Sequence, residues 1–329
     1  MKVLVTGGAG YIGSVVAHAL VQAGHSIVVY DNLSNGHRPA VPVQAKLIVA
    51  DVGDRVALTQ AVRGANFDGV MHFAASIEVG ESMLVPEKFF RNNTSNTLTL
   101  LEMMLENRIP RLVFSSTAAL FGNPDRTPIE ESDPPQPTNA YGESKHLVER
   151  MLEWFHRIHG LRYASLRYFN AAGAAGEIGE DHQPETHLIP LVLQAAEGKR
   201  HSVSIYGTDY PTPDGTCVRD YIHITDLAAA HLLAFERLGR DETPERLIYN
   251  LGNGRGFSVL EVIGAAARVA GKDIPVKEAA RRRGDPATLV ASSQKIRQEL
   301  GWQPKFTDLD GIIESAWRWR QTHPGGYGQ

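Results

Sequence analysis

Cysteine is nearly absent from this chain: Cys217 is the single one among 329 residues. One thiol excludes an internal disulfide and any cysteine cage for a metal, and it fits a reducing compartment. Cys217 is therefore expected as a small packing residue, and no metal is expected. No run approaches the about 18 apolar residues that read as a membrane span. At the N-terminus, one lysine and three apolar residues precede a glycine turn, so no signal peptide is expected. The expectation is a cytoplasmic protein. An excess of positive charge is lacking too, since Lys and Arg number 33 against 37 Asp and Glu, a formal net charge of −4. There is no basic field for nucleic acid or an anionic membrane, so an anionic ligand must be held by local groups.

What is present is an ordinary globular composition, 43% hydrophobic and 21% charged, organised around Thr6-Gly7-Gly8-Ala9-Gly10-Tyr11-Ile12-Gly13. The apolar run Val3-Leu4-Val5 precedes it and a helical pattern from Ser14 follows. Strand, glycine turn and helix is the context of a dinucleotide site. Gly7 permits the tight turn, Gly10 lets the backbone approach a pyrophosphate, and Gly13 lets helix and strand pack closely, with free N–H groups facing the phosphates. A second strand, Ser26 to Tyr30, ends at Asp31, placed to bind a ribose 2′-hydroxyl and to repel a 2′-phosphate. NAD is favoured over NADP.

Continuous apolar runs at Lys46–Ala50, Gly69–Ala75, Arg111–Ser116 and Ala164–Phe169 suit parallel strands covered on both faces. Helices are expected between them, among them one long helix from Pro86 to about Asn107 and another from Thr138 or Asn139 to about His159. The fold class is α/β: a doubly wound parallel sheet, Rossmann-like, over residues 1–170. Residues 171–329 read as a smaller mixed α/β substrate lobe, with segments near 217–253 returning to the main sheet.

Tyr141 and Lys145 stand at i and i+4 on one helix face, and Thr117 ends the fifth strand. A lone Y-x-x-x-K pair is common on helices. Ligands of parallel sheets sit outside the carboxyl ends of the strands, so here the pair and the hydroxyl face the cofactor's cleft. A tyrosine with pKa about 10 is a poor base near neutrality, and lowering it by about three units takes roughly 4 kcal/mol. A lysine ammonium and a positively charged nicotinamide are expected to supply this. Tyr141 would take a proton from a substrate hydroxyl, with Thr117 hydrogen-bonded to the reacting oxygen.

These motifs resemble those of the extended short-chain dehydrogenase/reductase family. The longer strings DNLSNG (Asp31–Gly36), HFAA…VGES (His72–Ser82), SLRYFNAAGA (Ser165–Ala174), YGTDYPTPDGTCVRDYIH (Tyr206–His223) and YNLGNG (Tyr249–Gly254) are similar to those of its UDP-sugar 4-epimerising branch. The resemblance covers nearly the whole chain. It implies NAD contacts at Gly7, Gly10, Tyr11, Ile12, Gly13, Asp31, Asn32, Asn35, Asp51, Val52, Phe73, Asn92, Tyr141, Lys145 and Tyr168. It implies UDP-sugar contacts at Thr117, Asn170, Leu188, Tyr206, Arg219 and Arg282, with Asp285 near the uridine ribose and Leu289 bordering the sugar C2 substituent.

The implied activity is NAD-dependent interconversion of UDP-galactose and UDP-glucose, as in galactose metabolism. A homodimer is implied, paired through the two long helices. UDP-N-acetylhexosamines are expected as slower substrates, since Leu289 is smaller than the tyrosine that goes with enzymes restricted to glucose and galactose. Two alternatives stand beside this reading. A UDP-glucuronate 4-epimerising enzyme would call for a cation or hydroxyl cluster near C6 that the matched strings do not show. A non-catalytic NAD-sensing protein is opposed by the intact Thr117, Tyr141 and Lys145. The chain departs from the family at Ile77, where Lys is frequent, at Thr117, where Ser is frequent, and at His187, where Asn is common.

Overall fold

The computed structural model describes residues 1–240, 246–282 and 285–328. In chain order the first half runs β1 (Lys2–Thr6), α1 (Tyr11–Gln22), β2 (Ser26–Asp31), β3 (Lys46–Val49), α2 (Arg55–Val62), β4 (Gly69–His72), α3 (Val79–Ser82), α4 (Pro86–Phe89), α5 (Asn96–Glu106), β5 (Arg111–Thr117), α6 (Ala140–His159) and β6 (Arg162–Tyr168). The second half follows as β7 (Asn170–Ala172), α7 (Leu188–Ala196), β8 (Val203–Tyr206), β9 (Val218–His223), α8 (Ile224–Leu238), β10 (Arg246–Leu251), β11 (Gly256–Ser258), α9 (Val259–Ala270), β12 (Val276–Ala279), β13 (Thr288–Leu289), α10 (Gln294–Leu300) and α11 (Leu309–Thr322).

The apolar runs form a seven-stranded sheet in the order β3-β2-β1-β4-β5-β6-β10, every pairing parallel. Its strand order reverses between β1 and β4, which opens a crevice at the carboxyl edge. Each face is covered. One core joins Val3, Val5, Val29 and Leu166 to Val16 and Leu20 of α1 and to Leu227 and Phe235 of α8. The other joins Leu4, Val70, Leu112 and Phe114 to Leu100, Leu101 and Met104 of α5 and to Val148 and Leu152 of α6.

The long helix expected from Pro86 is interrupted. Residues Phe90–Ser95 form a π-helical turn between α4 and α5, a feature that recurs at functional sites. Among the described residues of the second half only β10 returns to the main sheet as a strand; β9, within the segment expected to return, pairs instead with β7, β11 and β13 in a smaller sheet. β8 pairs with β12. Beneath these two small sheets α7, α9 and α11 share a third core, built on Val192, Leu193, Val262, Ala266, Ile312 and Ile313.

Helix α6 positions the candidate chemistry. Asn139 caps it, its Oδ1 accepting from Gly142 N at 2.8 Å, and Gly160 ends it in a left-handed conformation. Its buried Glu149 pairs with Arg167 of β6 at 2.6 Å and accepts from Ser116 Oγ of β5 at 2.6 Å. One carboxylate thus holds the helix against two strands.

Candidate active site

The glycine turn sits at the reversal of strand order. Gly7 has φ +71°, and a Cβ there would collide with the backbone of Ala74, which follows β4. A Cβ at Gly13 would collide with the Gly7 carbonyl, so α1 can approach the turn only with glycine at that place. Gly10 is different: a Cβ there would meet only the Gly7 oxygen, at 3.4 Å, and α1 begins with no side-chain cap. Among the described residues no side chain accepts from the N–H groups of Tyr11, Ile12 and Gly13, and the backbone in front of them is bare. That is a cradle for a pyrophosphate.

Beyond this turn, expected NAD residues lie at the ends of β2 and β3, after β4 and on the π-helical turn. Asp31, buried at the end of β2, accepts from Ala9 N at 2.9 Å and Leu33 N at 2.8 Å. Asp51 accepts from Asn32 Nδ2 at 2.7 Å and Gly53 N at 2.7 Å, which joins the loop after β2 to the buried Val52. Asn35 is exposed in the same loop. Phe73 follows β4 and lies 5.0 Å from the ring of His231. Asn92 stands on the π-helical turn and donates to Ser76 Oγ at 3.1 Å. Its neighbour Asn93, which sequence reasoning missed, is the stronger clasp: it bonds Ser76 N, Ser76 O and Ser144 Oγ at 2.8, 2.9 and 3.0 Å. The polar run Asn92-Asn93-Thr94 inside an otherwise helical pattern was the signal for it.

The candidate catalytic groups come together at the ends of β5 and α6. Thr117 pairs in register with Tyr168, whose hydroxyl is hydrogen-bonded to Ser115 Oγ. Tyr141 lies beside the Thr117 side chain and packs edge-on against Phe89. Lys145, buried, donates from Nζ to the Ser115 carbonyl at 2.8 Å and lies 4.8 Å over the Phe114 ring. Burial brings its pKa down to about 7.

The phenol of Tyr141 stands above its ordinary value: burial raises it, the nearby Thr117 hydroxyl opposes that, and the negative charge of Glu78 adds to the rise. The expected lowering by Lys145 is not found in this state of the protein, because the ammonium is turned to a backbone carbonyl and is itself poorly solvated. Ile77, beside Glu78, contributes no positive charge.

Strand pairing carries the site outward from Thr117. β7 continues from β6, and its Asn170 pairs with Tyr221 of β9. Two residues back on β9, Arg219 pairs with Leu289 of β13. Leu289 packs against the cluster of Ala118, Leu120, Phe121 and Phe169, directly after Thr117. Arg219 lies 3.6 Å from Asp285. Arg282 stacks its guanidinium 3.9 Å over the ring of Tyr206, so one face of the expected uracil platform carries a cation. Leu188 opens α7, with His187 as its N-cap.

A profile of the NAD dependent epimerase/dehydratase family matches residues 3–252. A UDP-glucose 4-epimerase of Streptomyces lividans is 53% identical over 99% of this chain and 98% of its own length. The crystal structure of UDP-glucose 4-epimerase from Brucella ovis in complex with NAD superposes with a TM-score of 0.93 at 45% identity, covering 96% of this chain and 97% of that one. The enzyme of the same name from Bifidobacterium longum, in complex with NAD+ and UDP, superposes with a TM-score of 0.94 at 37% identity, covering 99% of this chain and all of that one.

The wall of the site contains a group whose charge is suppressed. His72 is buried, bonded through Nδ1 to Thr6 Oγ1 at 2.6 Å and through Nε2 to Thr97 Oγ1 at 2.8 Å. Burial, with Lys145 adding to it, lowers its pKa from 6.5 to about 3. Below pH 6.5 the unfolded chain takes up this proton and the folded one does not, so stability falls as pH drops toward 3. Between pH 6 and pH 4 the unmodified protein should lose roughly 2–3 kcal/mol more than His72→Gln. Urea unfolding at the two pH values measures this; equal losses would contradict it.

Proposed function

The chain belongs to the NAD dependent epimerase/dehydratase family, and from that premise we propose how its site works. The chain is an NAD-dependent isomerase that interconverts UDP-galactose and UDP-glucose. The observation that carries the mechanism is the convergence of Thr117, Tyr141 and the buried Lys145, held by the Ser115 carbonyl, at the sheet edge that also holds the glycine cradle. We assign the cofactor to residues 1–170 and the UDP-sugar mainly to residues 171–329, in a cytoplasmic enzyme.

Tyr141 accepts the proton of the sugar C4 hydroxyl, and Thr117 hydrogen-bonds the same oxygen. Bound NAD supplies a reversible hydride acceptor at C4 and a positive ring that offsets the cost of a buried phenolate. Lys145 steadies that phenolate and Tyr168 closes the site from β6. Inverting one carbon requires the oxidised sugar to present both faces in turn. Grip must therefore come from the nucleotide end: Tyr206 as the platform, Arg219 and Arg282 as diphosphate donors, Asn170 and the N-terminus of α7 beside them, and Asp285 at the ribose. Only Thr117 and Tyr141 act at the reacting carbon.

Tyr141→Phe is expected to keep fold and NAD and to lose nearly all epimerisation, while Thr117→Val loses less because one hydrogen bond is removed rather than the base. Initial rates on UDP-galactose decide this. Turnover near that of the unmodified enzyme in Tyr141→Phe would sink the assignment.

Leu289, paired beside Arg219 and packed on the segment after Thr117, sets the width of the sugar pocket. UDP-N-acetylglucosamine should be turned over about ten to a few hundred times less efficiently than UDP-glucose, since steric discrimination of this kind is worth about 1–3 kcal/mol. Leu289→Ser should narrow the gap and Leu289→Tyr widen it. An unchanged ratio in Leu289→Ser removes Leu289 from that role.

The homodimer forms through α5 and α6. Val148 and Leu152 of α6 face the core and Met151 packs against its edge, while Leu147, Met151, Trp154 and Ile158 line up at 4-3-4 spacing, with Trp154 60% and Ile158 67% exposed. Leu98 on α5 is exposed as well. A stripe of this spacing is the seam of paired helices. Light scattering at micromolar concentration should give twice the chain mass, and Trp154→Asp should shift it toward one chain; a monomeric unmodified protein would contradict the pairing.

A further inference from the structure

The segment between β7 and α7 carries Glu180, His182, Glu185 and His187, a run of E-x-H-x-x-E-x-H that takes no part in the proton and hydride steps proposed above and ends at the N-cap of α7. The expectation of no metal rested on the cysteine count, which says nothing about imidazole and carboxylate. In the folded chain these side chains turn inward on one another. His182 Nδ1 lies 3.0 Å from Glu180 Oε1, His187 Nδ1 3.0 Å from the same oxygen, and His187 Nδ1 2.9 Å from Glu185 Oε1. All four donor atoms fall within 4.8 Å of one another.

We propose that these residues form a site for one divalent transition-metal ion, with zinc the best match. Zinc bonds of about 2.0–2.1 Å to nitrogen and oxygen put the ligands of a tetrahedron about 3.3–3.4 Å apart. The close contacts here are a few tenths of an ångström shorter, so small side-chain rotations open the room an ion needs. Donor chemistry narrows the choice: two imidazoles with two carboxylates suit zinc and its neighbours, whereas magnesium and calcium prefer oxygen alone.

Two further features favour an ion. The carboxylates of Glu180 and Glu185 are 9% and 7% exposed, and among the described residues their ion pairs are to histidines alone, with no Lys or Arg. Such a pocket holds two negative charges without a permanent cation. Glu185 Oε1 is also oriented by the backbone, accepting from Thr186 N and His187 N at 2.7 Å each, the kind of support that fixes metal ligands. Binding displaces the protons shared between Nδ1 and carboxylate; no oxidation or reduction is involved.

The ion would pin a segment already tied on both sides. Tyr11 of α1 donates to Gly173 O at 2.7 Å, and Asp181 O is bonded by His37 Nε2 at 2.7 Å. Tyr327, stacked on His37, donates from its backbone N to Asp181 Oδ2 at 3.0 Å. Its predicted role is structural: it fixes the segment that leads into the N-terminus of α7.

The test uses the full chain, stripped with a chelator and dialysed against zinc, with metal content measured by mass spectrometry. One zinc per chain is expected, together with a higher unfolding temperature than in chelator. His182→Ala and Glu180→Gln should each weaken zinc binding by at least about tenfold. Zinc that stays bound with unchanged affinity in both variants lies elsewhere and overturns the site. Because a variant can fail to fold, cobalt(II) added to the stripped unmodified protein gives a second reading. Intense visible bands of tetrahedral cobalt support the proposal, and the weak spectrum of hydrated cobalt overturns it.

Discussion

The parallel register of β5 with β6, from Arg111 against Arg162 to Thr117 against Tyr168, is the constraint on which the rest of the molecule depends. It sets two hydroxyl-bearing residues side by side at the edge where β1 delivers the glycine turn. It also sets Ser116 and Arg167 opposite each other, so that Glu149 of α6 reaches both. With that anchor in place, Lys145, one helical turn earlier, meets the Ser115 carbonyl, and Tyr141, another turn earlier, meets Thr117. Removing one partner of a buried pair such as Glu149 and Arg167 costs about 3–5 kcal/mol, and here the same loss would release the catalytic helix.

The same edge explains how one chain holds two ligands. β6 runs on into β7, which changes sheet and pairs with β9, while β13 adds to the other side of β9. A short ladder of backbone pairs thus links the reacting hydroxyls to Arg219 and Leu289. In the proposed reaction the sugar must turn over while its carrier stays fixed, and a strand-borne Arg219 suits the fixed end.

Much of the first half was legible because its signals are local. Continuous apolar runs, the glycine spacing, Asp31 and the Tyr141–Lys145 pair each lie within one element. The π-helical turn was not legible: one extra residue in a turn leaves the helical pattern of Pro86 to Asn107 looking continuous. β7, β11 and β13 were missed because strands of two or three residues are made by distant partners rather than by their own alternation. Helix α11 was passed over although Asp308 caps it, with Gly311 N donating to Oδ1 at 2.7 Å. The substrate residues came from resemblance, since a single arginine such as Arg282 carries no mark of a diphosphate. The altered pKa values of Tyr141 and Lys145 arise from burial that only the packed structure defines.

The central claim is that C4 is inverted by internal hydride transfer with a resident cofactor, not by loss and return of a carbon-bound proton. The most direct measurement is incubation of the purified protein with UDP-galactose in deuterated water, with no NAD added, followed by proton NMR of the sugar. UDP-glucose should form with protium retained at C4. Deuterium at C4 would contradict the account.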